Sequence, residues 1–323
     1  MTNPINNGDK TDRVSSLQAE KLNTKHSKQG KKQPEPDKKF LGFINQSSRW
    51  ACFANALFQC VIQVPEFHRQ LKEWGEDQLD SGATLLHVFD QQEQLQLGMP
   101  VQNVNLSHLI GAMALPQSQM CGSQDQHDAS EFRSKLFSTL LKGPSLTTTF
   151  HFTYTTETTC SHCKHLTKVQ PTATDHLYLY TTNGLQKWET LTNQLFNTNT
   201  TANCINCGPE RHHELKTYYD FDNTSHIFVD LQLVGHNPID GIHKYTSRGI
   251  TEFQSGQVKF GGKKFVTLAA IIHLGTKAGK GHYVTYVRSG SGWFELNDDK
   301  QPIWHCRFVT HLRDVTTLLL KKL

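Results

Sequence analysis

The 323-residue sequence has no apolar run approaching the roughly 18 residues that cross a bilayer; its best, Leu268 to Leu274, is far too short. We therefore expect no membrane partner. The first residues are polar and carry no apolar stretch of the kind a secretory leader needs, so the expected compartment is cytosol or nucleus. On that expectation the Asn-x-Ser/Thr triplets at Asn45, Asn105, Asn199 and Asn223 read as chance matches. Net charge is also scarce. The chain's formal +4 equals that of residues 1–39, where nine basic side chains face five acidic ones, and residues 40–323 are formally neutral. A neutral body gives no footprint for nucleic acid. There is no internal repeat. Eight cysteines in a chain of this length, four of them in two Cys-x-x-Cys pairs, suggest metal binding and catalysis rather than a disulfide framework.

Residues 1–39 are rich in Asn, Ser, Gln and Lys and hold almost nothing apolar, so they cannot bury enough surface to offset ordering entropy. They read as a disordered basic tail, with Lys28 to Lys39 either a solvating stretch or a patch for a nuclear receptor or acidic partner. From residue 40 the pattern allows a proper core. Trp50 to Val64 reads as a buried helix with Cys52 in its first turn, stopped by Pro65. Residues 66–100 read as helical, with Leu85, Leu86, Val88 and Phe89 as the apolar face. Asp128 to Lys142 reads as a further helix with Asp128 as N-cap and Phe132, Leu136 and Leu140 on one side. Short β-type runs follow at Thr147–Thr159, His176–Tyr180, His226–Leu233, Phe265–His273, His282–Arg288 and Val315–Leu320. Asn193 to Asn203 reads as a low-complexity loop. Helices first and strands afterwards is an α+β order, and the expected product is a single monomeric domain.

Three features carry chemistry. Cys52 at a helix N-terminus sits where free amides and the helix dipole lower a thiol's pKa, so it is the candidate nucleophile, against the plainer reading of a small core residue; Cys60, two turns on, reads as core. His282, between Gly281 and Tyr283, is the candidate base. Asn297 or Asp298 would orient its imidazole, unless Asn297 to Asp299 is only a turn. Cys160-x-x-Cys163 and Cys204-x-x-Cys207 supply four thiolates for a closed tetrahedral zinc site. A nucleic-acid zinc ribbon is the rival reading, but the segment between the pairs is Thr-rich rather than basic and aromatic.

The ordered segments Gly42-Phe43-Ile44-Asn45, Cys52 to Gln59, Gln126 to Phe132, Gly281-His282-Tyr283-Val284-Thr285-Tyr286 and Trp293 to Asp298 resemble the boxes of the ubiquitin-specific proteases, cysteine deubiquitinases of the papain-like type. The resemblance runs from about Phe40 to the C-terminus. It implies a catalytic domain over residues 40–323 with a helical thumb, a mixed palm and β fingers at about 150–235 that carry the zinc. It also implies hydrolysis of the isopeptide bond after the terminal glycine of ubiquitin. By the same resemblance Asn45 helps form the oxyanion hole, and Gln126, Asp128 and Tyr283 contact the ubiquitin tail. The chain departs from the family pattern before Cys52: six residues, Gln46 to Ala51, separate it from Asn45 where the family has four. The alternatives are a catalytically silent ubiquitin-binding domain and a protease for another ubiquitin-like modifier.

Overall fold

A computed structural model describes residues 38–45, 51–74, 80–112, 128–140, 149–182, 184–237, 241–245, 248–250, 257–277, 280–308 and 313–323, all within the unit Pro36–Leu323. The basic tail up to Asp37, Gln126 and the segment between Asn45 and Ala51 lie outside the described residues.

The chain opens with helices: α1 (Cys52–Val61), α2 (Pro65–Trp74), α3 (Asp80–Gln96), α4 (Ser107–Ala112) and α5 (Ala129–Leu140). Every residue of α1 is buried, Asn55 and Gln59 included, as suits a mostly apolar helix in a core. The helix ends at Val61, four residues before Pro65, as a proline at that place requires. Pro65 opens α2, where its missing N–H costs nothing, while the turn before it is closed by Val64 N–H to the Val61 carbonyl at 3.0 Å. On α3 the apolar set Leu85, Leu86, Val88 and Phe89 is buried as its spacing predicts. The α5 helix starts one residue after Asp128, whose Oδ1 accepts the amides of Ser130 at 2.7 Å and Glu131 at 3.2 Å.

The β half forms two main sheets. One holds β1 (Phe152–Cys160), β2 (Leu166–Lys168), β3 (Thr172–Thr174), β6 (Asn197–Cys204) and β7 (Gly208–Asp220) in the order β2-β1-β7-β6, with β3 also on β1. The other runs β16 (Ile303–His305), β15 (Gly292–Leu296), β14 (Lys280–Ser289), β13 (Lys263–Lys277), β17 (Val315–Lys322), β8 (His226–Leu231), β4 (His176–Leu179), with β12 (Gln257–Phe260) paired to β13. Small pairs are made by β5 (Gly184–Gln186) with β11 (Arg248–Ile250), and by β9 (Val234–Asn237) with β10 (Gly241–Lys244).

The larger sheet is covered on both faces, which explains near-continuous apolar runs such as Leu268–Leu274. Alternate residues divide between two cores. Ala269 and Ile271 of β13, Phe228 of β8 and Leu319 of β17 face α1 and its neighbouring helices. Ala270, Ile272, Val229, Leu318 and Leu320 face the second core with Phe221, Trp188 and Phe265. Inside this frame Arg133 of α5 is 1% exposed. It pairs bidentately with Asp230 of β8 at 2.9 and 2.7 Å and lies 4.8 Å from the Phe228 ring.

One expectation is corrected. The Asn193–Asn203 stretch is not a loop: its first part ends the helix α6 (Trp188–Phe196), and the rest is β6, antiparallel to β7 from Asn197↔Lys216 to Ala202↔Arg211. Its Thr and Asn side chains face solvent as befits an edge strand, and its hairpin pairing with β7 across the Cys204–Cys207 turn is not something composition reveals. Among the described residues no helix is long and apolar enough to cross a membrane.

Candidate active site

The thiol of Cys52 is the first side chain of α1, with no acidic residue in that first turn to oppose the positive end of the helix. The helix is locked against β14 from below: Thr285 Oγ1 donates to the Ala56 carbonyl at 2.8 Å. Burial pushes the Cys60 thiol far up, so this second cysteine stays a neutral core residue, as its position predicts.

His282 stands near the start of β14, opposite Leu274 of β13. Its Nε2 lies 2.8 Å from Asn297 Oδ1 and 3.7 Å from Asp298 Oδ2. An amide oxygen only accepts, so the neutral imidazole carries its proton on Nε2, and Nδ1 is left with a lone pair. Gly281 allows the close approach of β13 and the His273 ring. A Cβ at Gly281 would stand 2.3 Å from the Leu274 carbonyl oxygen and 2.5 Å from His273 Nε2, closer than atoms go. His273 itself packs at 4.6 Å on the Tyr283 ring, and burial, with the Lys244 and His282 charges behind it, lowers its pKa to about 4.

Asp298 is the junction of the site. Its backbone adopts φ of 53°, a left-handed conformation that Asp tolerates better than most residues. Its carboxylate accepts Asn45 Nδ2 at 2.9 Å and Asn55 Nδ2 at 2.8 Å, and its carbonyl accepts the Phe43 amide at 3.2 Å and Gln59 Nε2 at 3.3 Å. One residue thus ties together the segment before the cysteine, two turns of α1 and the strand-end that carries Asn297. Asn45 in turn accepts the Ala51 amide on Oδ1 at 3.0 Å, so it holds the residue preceding Cys52 despite the longer spacing between them. The segment Leu41–Asn45 is fixed by its pairing to Val104 and by Gln92 Oε1, which accepts the Leu41 amide at 2.8 Å.

Asp128 serves two ends. While Oδ1 caps α5, Oδ2 accepts the Tyr283 hydroxyl at 3.3 Å. Burial first, then the charge of Asp128, hold the Tyr283 phenol well above its usual range, so it remains an O–H donor.

The sequence picks out Cys52, His282, Asn297, Asp298, Asn45, Asp128 and Tyr283; polar contacts join His282, Asn297, Asp298 and Asn45 in one group and Asp128 and Tyr283 in another. Gln126 falls outside the described residues. Two buried polar residues were overlooked, Asn55 and Gln59. Their signal was present, since they are the only strongly polar residues on an otherwise apolar helix and stand four apart, on one side of it.

At the far end of the smaller sheet Cys160, Cys163, Cys204 and Cys207 converge, all four sulfurs within 4.8 Å of one another, with Cys163 and Cys204 at 3.5 Å. Each pair ends in a left-handed turn, at Lys164 with φ of 60° and at Gly208 with φ of 85°. The amides of Cys163 and His162 pull the Cys160 thiol down to about 6, while hydrogen bonding to Cys163 and burial push Cys207 up to about 12. Thiols this crowded ionise together only around a cation, and the cluster could hold a metal.

The chain's fold is similar to that of the SAGA DUB module of Ubp8, Sgf11, Sus1 and Sgf73 bound to monoubiquitin, with a TM-score of 0.67 at 15% sequence identity over 98% of this chain and 76% of that one. Comparison with curated protein sequences finds no match. The profile of the family described as ubiquitin carboxyl-terminal hydrolase matches residues 41–305, the span that contains the thiol, the imidazole, the Asn297–Asp298 pair and all four clustered cysteines. The fold is therefore of the ubiquitin-specific protease type, and the chain belongs to the ubiquitin carboxyl-terminal hydrolase family.

Proposed function

We propose that this protein is a thiol-dependent hydrolase that cleaves the peptide or isopeptide bond after the C-terminal glycine of ubiquitin. The observation that carries the reading is the 2.8 Å bond from His282 Nε2 to Asn297, which leaves Nδ1 as the nitrogen to take a proton from Cys52. Cys52 Sγ then attacks the glycine carbonyl carbon, and the carbonyl electron pair moves onto oxygen. The oxyanion is stabilised by the Cys52 amide at the helix N-terminus and by the second Nδ2 hydrogen of Asn45, its first being given to Asp298. Collapse expels the amine, which takes the proton from His282. Water, deprotonated by the same imidazole, releases the acyl group from sulfur. Asn297 orients the ring. The carboxylate of Asp298, 3.7 Å from Nε2, adds a charge that favours the imidazolium formed in each half-reaction.

Asp128 and Tyr283 would meet the basic ubiquitin tail in the cleft, together with Gln126. Cys160, Cys163, Cys204 and Cys207 would hold a structural zinc: tetrahedral thiolates about 2.3 Å from zinc stand about 3.8 Å apart, inside the observed spread. A zinc held there would cross-link two hairpin turns and take no part in the proton transfers. Ubiquitin is the expected partner, in cytosol or nucleus.

Cleavage of a ubiquitin C-terminal reporter tests the reading. The wild type is expected to turn over and to be labelled by a ubiquitin probe with a C-terminal electrophile, and Cys52→Ala to do neither. Binding of ubiquitin with neither labelling nor turnover would favour the silent ubiquitin-binding alternative. Turnover of a reporter of another modifier, with none of ubiquitin, would move the substrate and keep the chemistry.

A further inference from the structure

Lys244, at the end of β10, has a fully buried side chain. Its ammonium donates to the His273 carbonyl at 2.6 Å and the Gly275 carbonyl at 2.8 Å, and pairs with Asp314 Oδ1 at 2.6 Å. These partners stand where the large sheet changes. Strand β17 accompanies β13 only as far as Ile272↔Val315, and the last bond between them is His273 N–H to the Asp314 carbonyl at 2.9 Å. Residues two apart in a strand turn their carbonyls to the same side. The carbonyls of His273 and Gly275 therefore point to the edge β17 has just left, and buried carbonyls without a partner are costly. The ammonium of Lys244 takes the place of the missing strand.

The residue between those carbonyls is Leu274, and Leu274 is paired with His282 across the ladder. Beyond it the pairing of β13 with β14 shifts register before Lys277↔Lys280, and Gly275 sits at φ of 131°. His282 thus pairs with a stretch of β13 that has lost its neighbour β17 on one side and shifts register against β14 on the other. We infer that Lys244 is a positioning residue for the base: by gripping β13 at His273 and Gly275 it fixes the backbone opposite His282 and so holds Nε2 on Asn297. Because Lys244 arrives on the β9–β10 pair, and Asp314 sits one residue before β17, the grip ties two separate elements to the histidine strand. Lys244 touches neither substrate nor reacting atoms, and its effect is transmitted through the backbone.

The inference rests on the proposed hydrolysis, and its test separates the two. Steady-state cleavage of the ubiquitin reporter by Lys244→Met is expected to lose about 10-fold to 100-fold in kcat, with KM within about twofold, since the ubiquitin-contacting surface is left alone. Lys244→Arg, which keeps the charge and the donors, is expected to recover part of the loss. Asp314→Asn, a milder change that keeps Lys244 in place, is expected to lower kcat several-fold and decides the matter if Lys244→Met fails to fold. The second readout needs no turnover. The downfield imidazole N–H resonance of His282, assigned by its disappearance in His282→Gln, is expected in the wild type and in Lys244→Arg, and broadened or lost in Lys244→Met and Asp314→Asn. Unchanged kcat and an unchanged resonance in a folded Lys244→Met or in Asp314→Asn would overturn the inference. So would a wild type without that resonance. A wild type that cleaves no reporter yet shows the resonance, with Lys244→Met or Asp314→Asn losing it, would overturn the hydrolase reading and leave the positioning role standing.

Discussion

Asn297 and Asp298 are neighbours in the chain, yet they hold different things. Asn297 makes the close bond to the imidazole, and Asp298 gathers the amides of Asn45 and Asn55 and the backbone of Phe43. Replacing Asn297 with Ala is expected to slow kcat/KM by ~10²-fold, ~3 kcal/mol of transition-state stabilisation, with little change in melting temperature. Asn297→Asp is expected to be tolerated, because a carboxylate oxygen accepts the same Nε2–H. Asp298→Ala is expected to lower both rate and thermal stability, since the buried Asn55 amide loses its acceptor at roughly 1–3 kcal/mol and the half-buried Asn45 amide loses one as well. Activity and melting temperature of the three variants distinguish these roles. If both alanine variants keep near-full activity, neither residue orients His282. The types of these residues and their place after Trp293 were legible in the sequence. The division of labour was not, because it depends on which acceptor the Asn45 and Asn55 amides reach from about 240 to 250 residues away.

At the scale of elements, the two Cys-x-x-Cys turns lie at the ends of strands that are otherwise held only by edge-exposed Thr-rich ladders. Their sheet contributes Phe152 and a few neighbours to the second core and little else. A metal joining Cys160, Cys163, Cys204 and Cys207 would therefore carry much of that sheet's stability. One zinc per chain is expected in freshly purified protein. Chelation is expected to expose residues of β1, β6 and β7 to limited proteolysis before the α1 helix and its core are touched. Protein purified without added chelator that contains no zinc would refute this. The Cys spacing was readable at sight. The strand β6 was not, because Asn and Thr repeats look the same in a loop and on an exposed sheet edge until β7 is there to pair with them.

For the whole molecule, two buried histidines set a response to acid. Burial lowers His226, 0% exposed, and His273, 2% exposed, each to about 4. Unfolded, each titrates near its ordinary value of about 6.5. Between about pH 6.5 and 4 the unfolded chain therefore binds protons that the folded chain refuses, so stability falls as pH falls through that window and levels off, for these groups, below it. The loss is on the order of 3 kcal/mol per histidine at the bottom of the window. Urea midpoints are expected to drop between pH 7.5 and 5, and the slope to be shallower in His226→Gln. A midpoint independent of pH over that range would contradict the burial of these rings.

The sequence alone determined what local chemistry can write: an apolar helix opened by a cysteine, an Asp N-cap before α5, period-2 runs buried on both faces, four thiols in two pairs, and a histidine flanked by Gly281. Each of these follows from near-neighbour spacing and side-chain type. Only the tertiary structure decided which polar groups meet. That Asp298 joins Asn45 to α1, that Tyr283 reaches Asp128, that Arg133 neutralises Asp230, and that Lys244 stands in for a strand beside His273 and Gly275 are all contacts across dozens to hundreds of residues. A buried polar group must find a partner, but the sequence names only the need; the packing of sheet and helices selects which distant group fills it.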